Sequence, residues 1–264
     1  MPTHEVNGIR LYYEQYGNRV SFPVVFVNGL LADTTGWRFQ VPAFAPHFRV
    51  LLYDARGQGQ SDKPPGPYLP DQHARDLVGL LDALHIQQAH LVGLSNGGAI
   101  AMLVAAAYPS RVGCLVLADT YAHTDALMQA RLESWLLALE SGGLALRFDV
   151  ATPWVWGNAF LEQNQHLLEP LRQKALQANV DAVRGLISGV RGYNIREKLA
   201  TIQAPTMVMV GEEDVLTPPW HAREIARAIP NTHLVIVPGA GHALPIERPM
   251  VFNALVRAFL QDKE

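Results

Sequence analysis

The sequence has only one cysteine, Cys114, among its 264 residues. A single cysteine excludes an intramolecular disulfide, and because Cys114 lies in an apolar, strand-like run we expect it to be a small buried side chain. Residues 1–8 lack the basic and then apolar order of a signal peptide. These absences fit a reducing compartment, and we expect the protein to be cytoplasmic.

Long apolar runs and an excess of one charge are absent too. No apolar run approaches the roughly 20 residues that cross a bilayer, so no membrane partner is expected. The formal net charge is −3 and the basic residues are scattered, so we expect no nucleic-acid partner. The chain has no metal-ligand spacing and no phosphate-binding glycine loop, so we expect neither a metal nor a cofactor.

Hydrophobic residues make up 49% of the chain and charged residues 17%, which fits one α/β domain with a well-buried core and an insertion. Asn7-Gly8 joins the first two strand-like runs, and this dipeptide favours an antiparallel hairpin. The later runs alternate with helical patterns, which predicts a mostly parallel sheet of about eight strands flanked by helices. The runs lie at residues 3–6, 9–16, 23–27, 48–53, 89–94, 112–117, 206–210 and 233–237.

The alternation of strands and helices stops between residues 121 and 199, where the apolar residues recur with a helical period. This pattern predicts a helical cap, or lid, inserted after the sixth strand. The α/β core then comprises residues 1–120 and 200–264. The oligomeric state stays open between a monomer and a homodimer.

Ser95 lies between an apolar run and a helical pattern that starts at Asn96. Gly93 and Gly97 flank it, and Gly-x-Ser-x-Gly at a strand-to-helix turn is typical of the nucleophile elbow. A serine hydroxyl is a poor nucleophile, so it needs a base within reach and hydrogen-bond donors for the oxyanion. The amide of Asn96 is one candidate donor. A glycine-rich loop without chemistry is the alternative.

His242, in a glycine-rich loop after the last strand, is the candidate base for Ser95. Asp214, in the turn after the seventh strand, is the candidate that orients the imidazole, and the chain order Ser, Asp, His supports both assignments. Glu212 and Glu213 are rivals in the same turn. Asp119 is another possible acid, although we expect it to act as a turn or capping residue.

Four motifs together resemble the α/β-hydrolases, and the resemblance runs over nearly the whole chain. They are Gly93-Leu-Ser-Asn-Gly97, Tyr53-Asp-Ala-Arg-Gly-Gln-Gly-Gln-Ser-Asp62, Gly211-Glu-Glu-Asp214 and Gly239-Ala-Gly-His242. The resemblance implies a triad of Ser95, His242 and Asp214, with an oxyanion hole formed by the backbone amides of Leu30 and Asn96.

Within this family the chain is similar to the small capped esterases, enol-lactone hydrolases and cofactor-free perhydrolases. It departs from the common pattern at two positions. Asn28 stands where many members have histidine, and Asn96 follows the serine where an apolar residue is frequent. Asn28 either contacts substrate or holds its loop, and we expect the second role. Six residues form the candidate substrate pocket, which we expect to be mainly apolar: Asn28, Leu31, Trp154, Trp156, Val215 and Leu216.

The leading predicted reaction is acyl transfer to water, with a carboxylic ester or a lactone as the small-molecule substrate and an acyl-enzyme on Ser95. A C–C bond hydrolase and a cofactor-free perhydrolase are alternatives on the same triad. A protein that binds a small ligand without turnover is the alternative from another class, because a fold alone does not fix a function.

Overall fold

A computed structural model describes residues 2–262 of the chain. The eight strands are β1 (Thr3–Val6), β2 (Ile9–Tyr16), β3 (Pro23–Val27), β4 (Arg49–Tyr53), β5 (Ala89–Leu94), β6 (Val112–Ala118), β7 (Thr206–Gly211) and β8 (Thr232–Val237). They form one sheet in the order β1-β2-β4-β3-β5-β6-β7-β8. β2 is antiparallel to both of its neighbours, and all other pairs are parallel. The predicted mostly parallel sheet is confirmed.

The antiparallel hairpin at the start of the chain turns at Asn7 and Gly8, which have φ values of 50° and 77°. Positive φ at both central residues is what a tight two-residue hairpin requires, and asparagine and glycine tolerate it best. Val6 therefore pairs with Ile9 across the turn. This part of the sequence prediction is also confirmed.

Helices cover both faces of the sheet. They are α1 (Val41–Phe44), α2 (Pro70–Ala83), α3 (Asn96–Ala107), α4 (Ala126–Val155), α5 (Asn158–Asn164), α6 (Leu168–Ala175), α7 (Val180–Gly189), α8 (Pro219–Ala228), α9 (Leu244–Glu247) and α10 (Pro249–Gln261). Short 3-10 helices lie at Thr34–Trp37, Pro109–Arg111, Gln165–Leu167 and Arg196–Thr201. None of the helices within residues 2–262 is long and apolar enough to cross a membrane.

The central strands are continuous apolar runs because both faces of the sheet are buried. Along β3, Val25 and Val27 belong to the core that also contains the inner faces of α2 and α3. Val24 and Phe26 alternate with them and belong to a second core, which includes residues of α1 and α10. Each such side chain contributes about 1.5–3 kcal/mol through burial. The two cores hold the carboxyl ends of the parallel strands in place.

Four helices, α4 to α7, lie between β6 and β7, where the sequence predicts the cap. We call residues 121–199 the inserted segment. Its two ends meet, because His123 and Asn194 form an isolated antiparallel bridge. The helix α4 breaks at Gly142 and Gly143, and Gly143 has a φ of 65°. The division of the chain into a core domain and a cap domain stays a prediction.

The apolar pattern of residues 37–44 predicts a single helix, and this prediction is wrong in extent, because only Val41–Phe44 is α-helical. The chain there forms the 3-10 turn Thr34–Trp37 and then the single turn of α1. Pro42 and Pro46 lack the amide that a longer helix would use, so neither turn extends. Trp37 and Phe44 are nevertheless both buried, which explains the apolar pattern that suggested one helix.

Candidate active site

Ser95 occupies the turn between β5 and α3, with φ 55° and ψ −121°. A positive φ is unusual for a residue other than glycine, and such backbone strain persists only where the surroundings hold it. The Ser95 amide donates to the Ala118 carbonyl at 2.8 Å, and the Thr120 hydroxyl donates to the Ser95 carbonyl at 2.6 Å. These two bonds fix the turn against the end of β6.

The two glycines around Ser95 are required by close backbone contacts. A Cβ atom on Gly97 would lie 2.0 Å from the Val27 carbonyl oxygen, and one on Gly93 would lie 2.5 Å from the Gly97 carbonyl oxygen. Both distances are too short for any side chain. The Gly-x-Ser-x-Gly motif is therefore explained by the packing of β5, α3 and the end of β3.

Gly97→Ala should destabilise the protein by about 3 kcal/mol, because neither the added Cβ nor the rigid end of β3 can move away. Urea denaturation of wild type and variant measures this difference. Gly36→Ala is the matched control, since nothing lies within 4 Å of a Cβ there. It should change stability by less than about 1 kcal/mol. Equal effects of the two substitutions would contradict this account of the turn.

Ser95, His242 and Asp214 form one hydrogen-bonded chain. The Ser95 Oγ atom lies 2.9 Å from His242 Nε2, and His242 Nδ1 lies 2.9 Å from Asp214 Oδ2. All three residues are buried. The arrangement can transfer a proton from the hydroxyl to the imidazole while the carboxylate holds the ring.

Asp214 also accepts hydrogen bonds from its own loop. Its Oδ1 atom accepts from the amides of Leu216 and Thr217 at 2.8 and 2.9 Å, and its Oδ2 atom accepts from the Thr217 hydroxyl at 2.8 Å. Burial works to raise the pKa of Asp214, but the charge and hydrogen bond of His242 and the bonds from Thr217 hold the pKa below its ordinary value. The carboxylate is therefore kept ionised beside the imidazole.

The three rival acids occupy other positions. Glu212 is exposed, and Glu213 Oε2 accepts from the Asn158 amide at 2.8 Å. Asp119 is buried and accepts from the amides of Gly211 and Leu244 at 2.9 and 3.1 Å. Burial and the nearby Asp214 charge raise the pKa of Asp119 well above its ordinary value. Asp119 thus connects the loop of the candidate acid to the loop of the candidate base.

The loop after β3 passes directly beside the serine, since a Cβ atom on Gly29 would lie 3.5 Å from Ser95 Cβ. Within residues 2–262, the amides of Leu30 and Asn96 have no protein hydrogen-bond acceptor. Leu31 has a φ of 63°, and its amide donates to Gln58 Oε1 at 2.9 Å. The hydrogen bond from the Leu31 amide to the buried Gln58 side chain therefore fixes the position of the loop after β3.

Both polar atoms of the Asn28 side chain form hydrogen bonds within the protein. Its Nδ2 atom donates to the Tyr53 carbonyl at 2.8 Å, and its Oδ1 atom accepts from Trp37 Nε1 at 2.7 Å. The amide thus ties the loop after β3 to β4 and to the buried tryptophan, as expected for a loop-holding residue. The Asn96 side chain is also engaged, because its Oδ1 atom accepts from the Tyr121 hydroxyl at 3.2 Å.

The other candidate pocket residues differ in exposure. Leu31 is half-buried and packs against Tyr68 and the side chains of α7, whereas Leu216 is buried in the core with α3. Val215 is 45% exposed.

The two candidate tryptophans lie near the end of α4. Trp154 stacks on Trp135 with ring centroids 6.1 Å apart, and Trp156 stacks on Phe160 at 5.0 Å. A substrate-lining role for either ring stays a prediction.

Glu247 is a site residue that no sequence motif predicts. Its buried carboxylate accepts hydrogen bonds from the amides of Gly241 at 2.8 Å and Ala243 at 3.1 Å, on either side of His242. It also accepts from the Gly157 amide in the inserted segment at 3.1 Å. The His242 amide donates to the Val155 carbonyl at 2.9 Å. Glu247 therefore ties the histidine loop to the end of α4.

Burial raises the pKa of Glu247 above its ordinary value of 4.5, although the three amides oppose the shift. A carboxyl group with a raised pKa stabilises the fold fully below its unfolded-state pKa, and that contribution is lost as pH rises through the folded-state pKa. The unfolding free energy of wild type minus that of Glu247→Gln should therefore decrease as pH rises from about 4. Urea denaturation at a series of pH values measures this difference in unfolding free energy. Glu212→Gln, at an exposed position, is the control for the loss of one negative charge. A difference that grows with pH would contradict the prediction.

The chain belongs to the α/β hydrolase fold family, whose model matches residues 23–249. The family resemblance seen in the motifs is thereby confirmed. The three relatives described next carry names of hydrolytic enzymes, and the chain is a hydrolase.

Three relatives are similar over nearly their whole length. The chain is 31% identical to "Putative carbamate hydrolase RutD" of Caulobacter sp. (strain K31), covering 95% of each chain. It is 28% identical to 3-oxoadipate enol-lactonase 2 of Acinetobacter baylyi, covering 96% of this chain and 94% of that protein. The crystal structure of the enol-lactonase from Burkholderia xenovorans LB400 superposes with a TM-score of 0.91 at 30% identity, covering 98% of this chain and 100% of that chain.

Proposed function

We propose that the protein hydrolyses a carboxylic ester or a lactone through an acyl-enzyme on Ser95. The observation that carries the proposal is the chain of two 2.9 Å contacts from Ser95 Oγ through His242 to Asp214. These residues suit a carbonyl substrate. Attack of the serine oxygen on a carbonyl carbon needs a base that removes the hydroxyl proton and hydrogen-bond donors that stabilise the resulting oxyanion. The hydrolase relatives support the same reaction class.

In the first half of the reaction His242 takes the proton from Ser95 as the hydroxyl oxygen attacks the carbonyl carbon. The charge that develops on the carbonyl oxygen is stabilised by the amides of Leu30 and Asn96. One such donor contributes about 3–4 kcal/mol to transition-state stabilisation. Gln58 and Asn28 act indirectly, by holding the loop that presents the Leu30 amide.

Collapse of the tetrahedral intermediate then expels the alcohol, which receives the proton from His242. For a lactone the leaving alcohol stays attached to the acyl group, so the acyl-enzyme carries the whole substrate. Water repeats the sequence with His242 as the base and releases the carboxylic acid. Asp214 stays ionised throughout and stabilises the imidazolium, which agrees with the lowered pKa of its carboxyl group.

Small molecules are the proposed partners, and the cytoplasm is the proposed compartment. Leu30 and Leu31, in the loop after β3, pack against a cluster formed by Tyr68 and the α7 residues Ala182 and Leu186, which places apolar side chains beside the proposed oxyanion donors. An apolar wall there favours uncharged acyl groups of short to medium length.

A substrate series tests the proposal. The enzyme should hydrolyse 4-nitrophenyl esters of graded chain length, releasing one acid and one 4-nitrophenol per turnover, and simple lactones, releasing one hydroxy acid per turnover. Supplying hydrogen peroxide and a short carboxylic acid tests the perhydrolase alternative, and a vinylogous 1,5-diketone tests the C–C hydrolase alternative. Turnover of either of these without ester or lactone hydrolysis would overturn the proposal. Ligand binding without any turnover would favour the non-catalytic alternative.

A further inference from the structure

A second group of ionisable side chains lies where the inserted segment begins, apart from the candidate triad. His123 follows β6, and Asp125 caps the N-terminus of α4 through its bond to the Met128 amide. His221 and Glu224 lie three residues apart, one turn, in α8. The fold thus brings the start of the inserted segment against the helix that follows the Asp214 loop.

The geometry of this group suits a metal ion. One ring nitrogen of His123, one of His221 and one carboxylate oxygen of Glu224 all lie within 4.8 Å of one another. The His123 Nδ1 atom is 3.1 Å from Glu224 Oε2, yet the two atoms are not aligned for a hydrogen bond, and Nδ1 has no other partner within residues 2–262. Arg196 lies 4.0 Å from the other carboxylate oxygen of Glu224, which leaves Oε2 facing the histidine.

His221 also has a buried ring nitrogen without a hydrogen-bond partner among residues 2–262. Its side chain is 1% exposed, and its Nε2 atom lies 3.3 Å from Asp125 Oδ2. A ring nitrogen that faces a carboxylate carries the proton, so the lone pair is on Nδ1, and Nδ1 has no hydrogen-bond partner in the described part of the chain. A buried lone pair without a partner is costly, and a metal ligand paired to a carboxylate through its other nitrogen is a common solution.

We propose that His123, His221 and Glu224 bind one divalent transition-metal ion of the zinc type, with Asp125 orienting His221. Two imidazole nitrogens and one carboxylate oxygen favour zinc over magnesium or calcium, which prefer all-oxygen sites. The ion would join the start of the inserted segment to α8. The sequence predicts no metal, because His123 lies at the start of the inserted segment whereas His221 and Glu224 follow its end, so the three residues form no ligand spacing along the chain. This site is independent of the proposed hydrolase reaction.

Equilibrium dialysis of the full chain against Zn²⁺, followed by metal analysis, tests the proposal. Wild type should bind one Zn²⁺ per chain and should not bind Mg²⁺ at the same concentration. Glu224→Gln and His123→Ala should each weaken Zn²⁺ binding at least about tenfold. Circular dichroism confirms that both variants are folded, and the near-isosteric Glu224→Gln keeps the test valid if His123→Ala is unstable.

Two further variants show where the ion binds. His166→Ala removes an exposed histidine elsewhere in the inserted segment and should leave binding unchanged. His242→Asn removes the candidate catalytic base and should also retain one Zn²⁺ per chain. Loss of Zn²⁺ in His242→Asn, unchanged affinity in folded Glu224→Gln, or no stoichiometric binding by wild type would each overturn the proposed site.

Discussion

Ser95→Ala is expected to lower kcat for ester or lactone hydrolysis on the order of 10⁵- to 10⁶-fold, with only background turnover remaining. The reason is that the substitution removes the single atom that forms the acyl bond. The Ser95 backbone is held by Ala118 and Thr120 through main-chain atoms, so the alanine variant should fold. Steady-state kinetics with the best substrate of the ester and lactone series measures the effect.

The matched control is Ser110→Ala, which removes an exposed hydroxyl beside β6. It should keep kcat within about twofold of wild type, because surface substitutions away from a site have small effects. A folded Ser95→Ala protein that hydrolysed the same substrate at a rate near wild type would contradict a nucleophilic role for Ser95.

Asp214→Asn is expected to lower kcat about 10⁴-fold with the fold retained. An amide nitrogen facing His242 Nδ1 would force the ring proton onto Nε2, and that nitrogen could no longer accept the Ser95 proton. The loop keeps its shape, because Asn can still accept from the amides of Leu216 and Thr217 that now bind Asp214 Oδ1. The pre-steady-state burst should disappear together with the steady-state rate.

Two variants separate Asp214 from its rivals. Glu212→Gln makes the same carboxylate-to-amide change at an exposed position two residues earlier and should leave kcat nearly unchanged. Asp119→Asn affects a buried acid that bonds to Gly211 and Leu244. Asp119→Asn should lower the free energy of unfolding, whereas its effect on kcat should be smaller than that of Asp214→Asn. A folded Asp119→Asn variant with a larger loss of kcat than Asp214→Asn would reassign the acid.

The sheet and the Ser95 turn could be predicted because each depends on neighbouring residues. Apolar runs such as β3 indicate strands buried on both faces, and Asn7-Gly8 indicates a hairpin. The glycines around Ser95 mark a turn whose close contacts the structure shows at Val27. The prediction failed at residues 37–44, where prolines divide an apolar pattern into two separate turns.

The residues that hold the site together could not be predicted. Glu247 binds three backbone amides, and Gln58 binds a fourth in the loop after β3. Every residue except proline has a backbone amide, so the identity of a residue does not show which side chain its amide binds. Asn28 stands out in the sequence because many members of the family have histidine at that position. Its bonds to Tyr53 and Trp37 became visible only in the fold.

The proposed mechanism requires that Ser95 carries an acyl group during turnover. Rapid acid quench of wild type with a 4-nitrophenyl ester, followed by intact-mass analysis and peptide mapping, detects such an acyl-enzyme. We expect a mass increase equal to the acyl group, located on the peptide that contains Ser95 and absent from Ser95→Ala. Turnover by wild type with no adduct at any quench time under burst conditions, or an adduct on another residue, would contradict it.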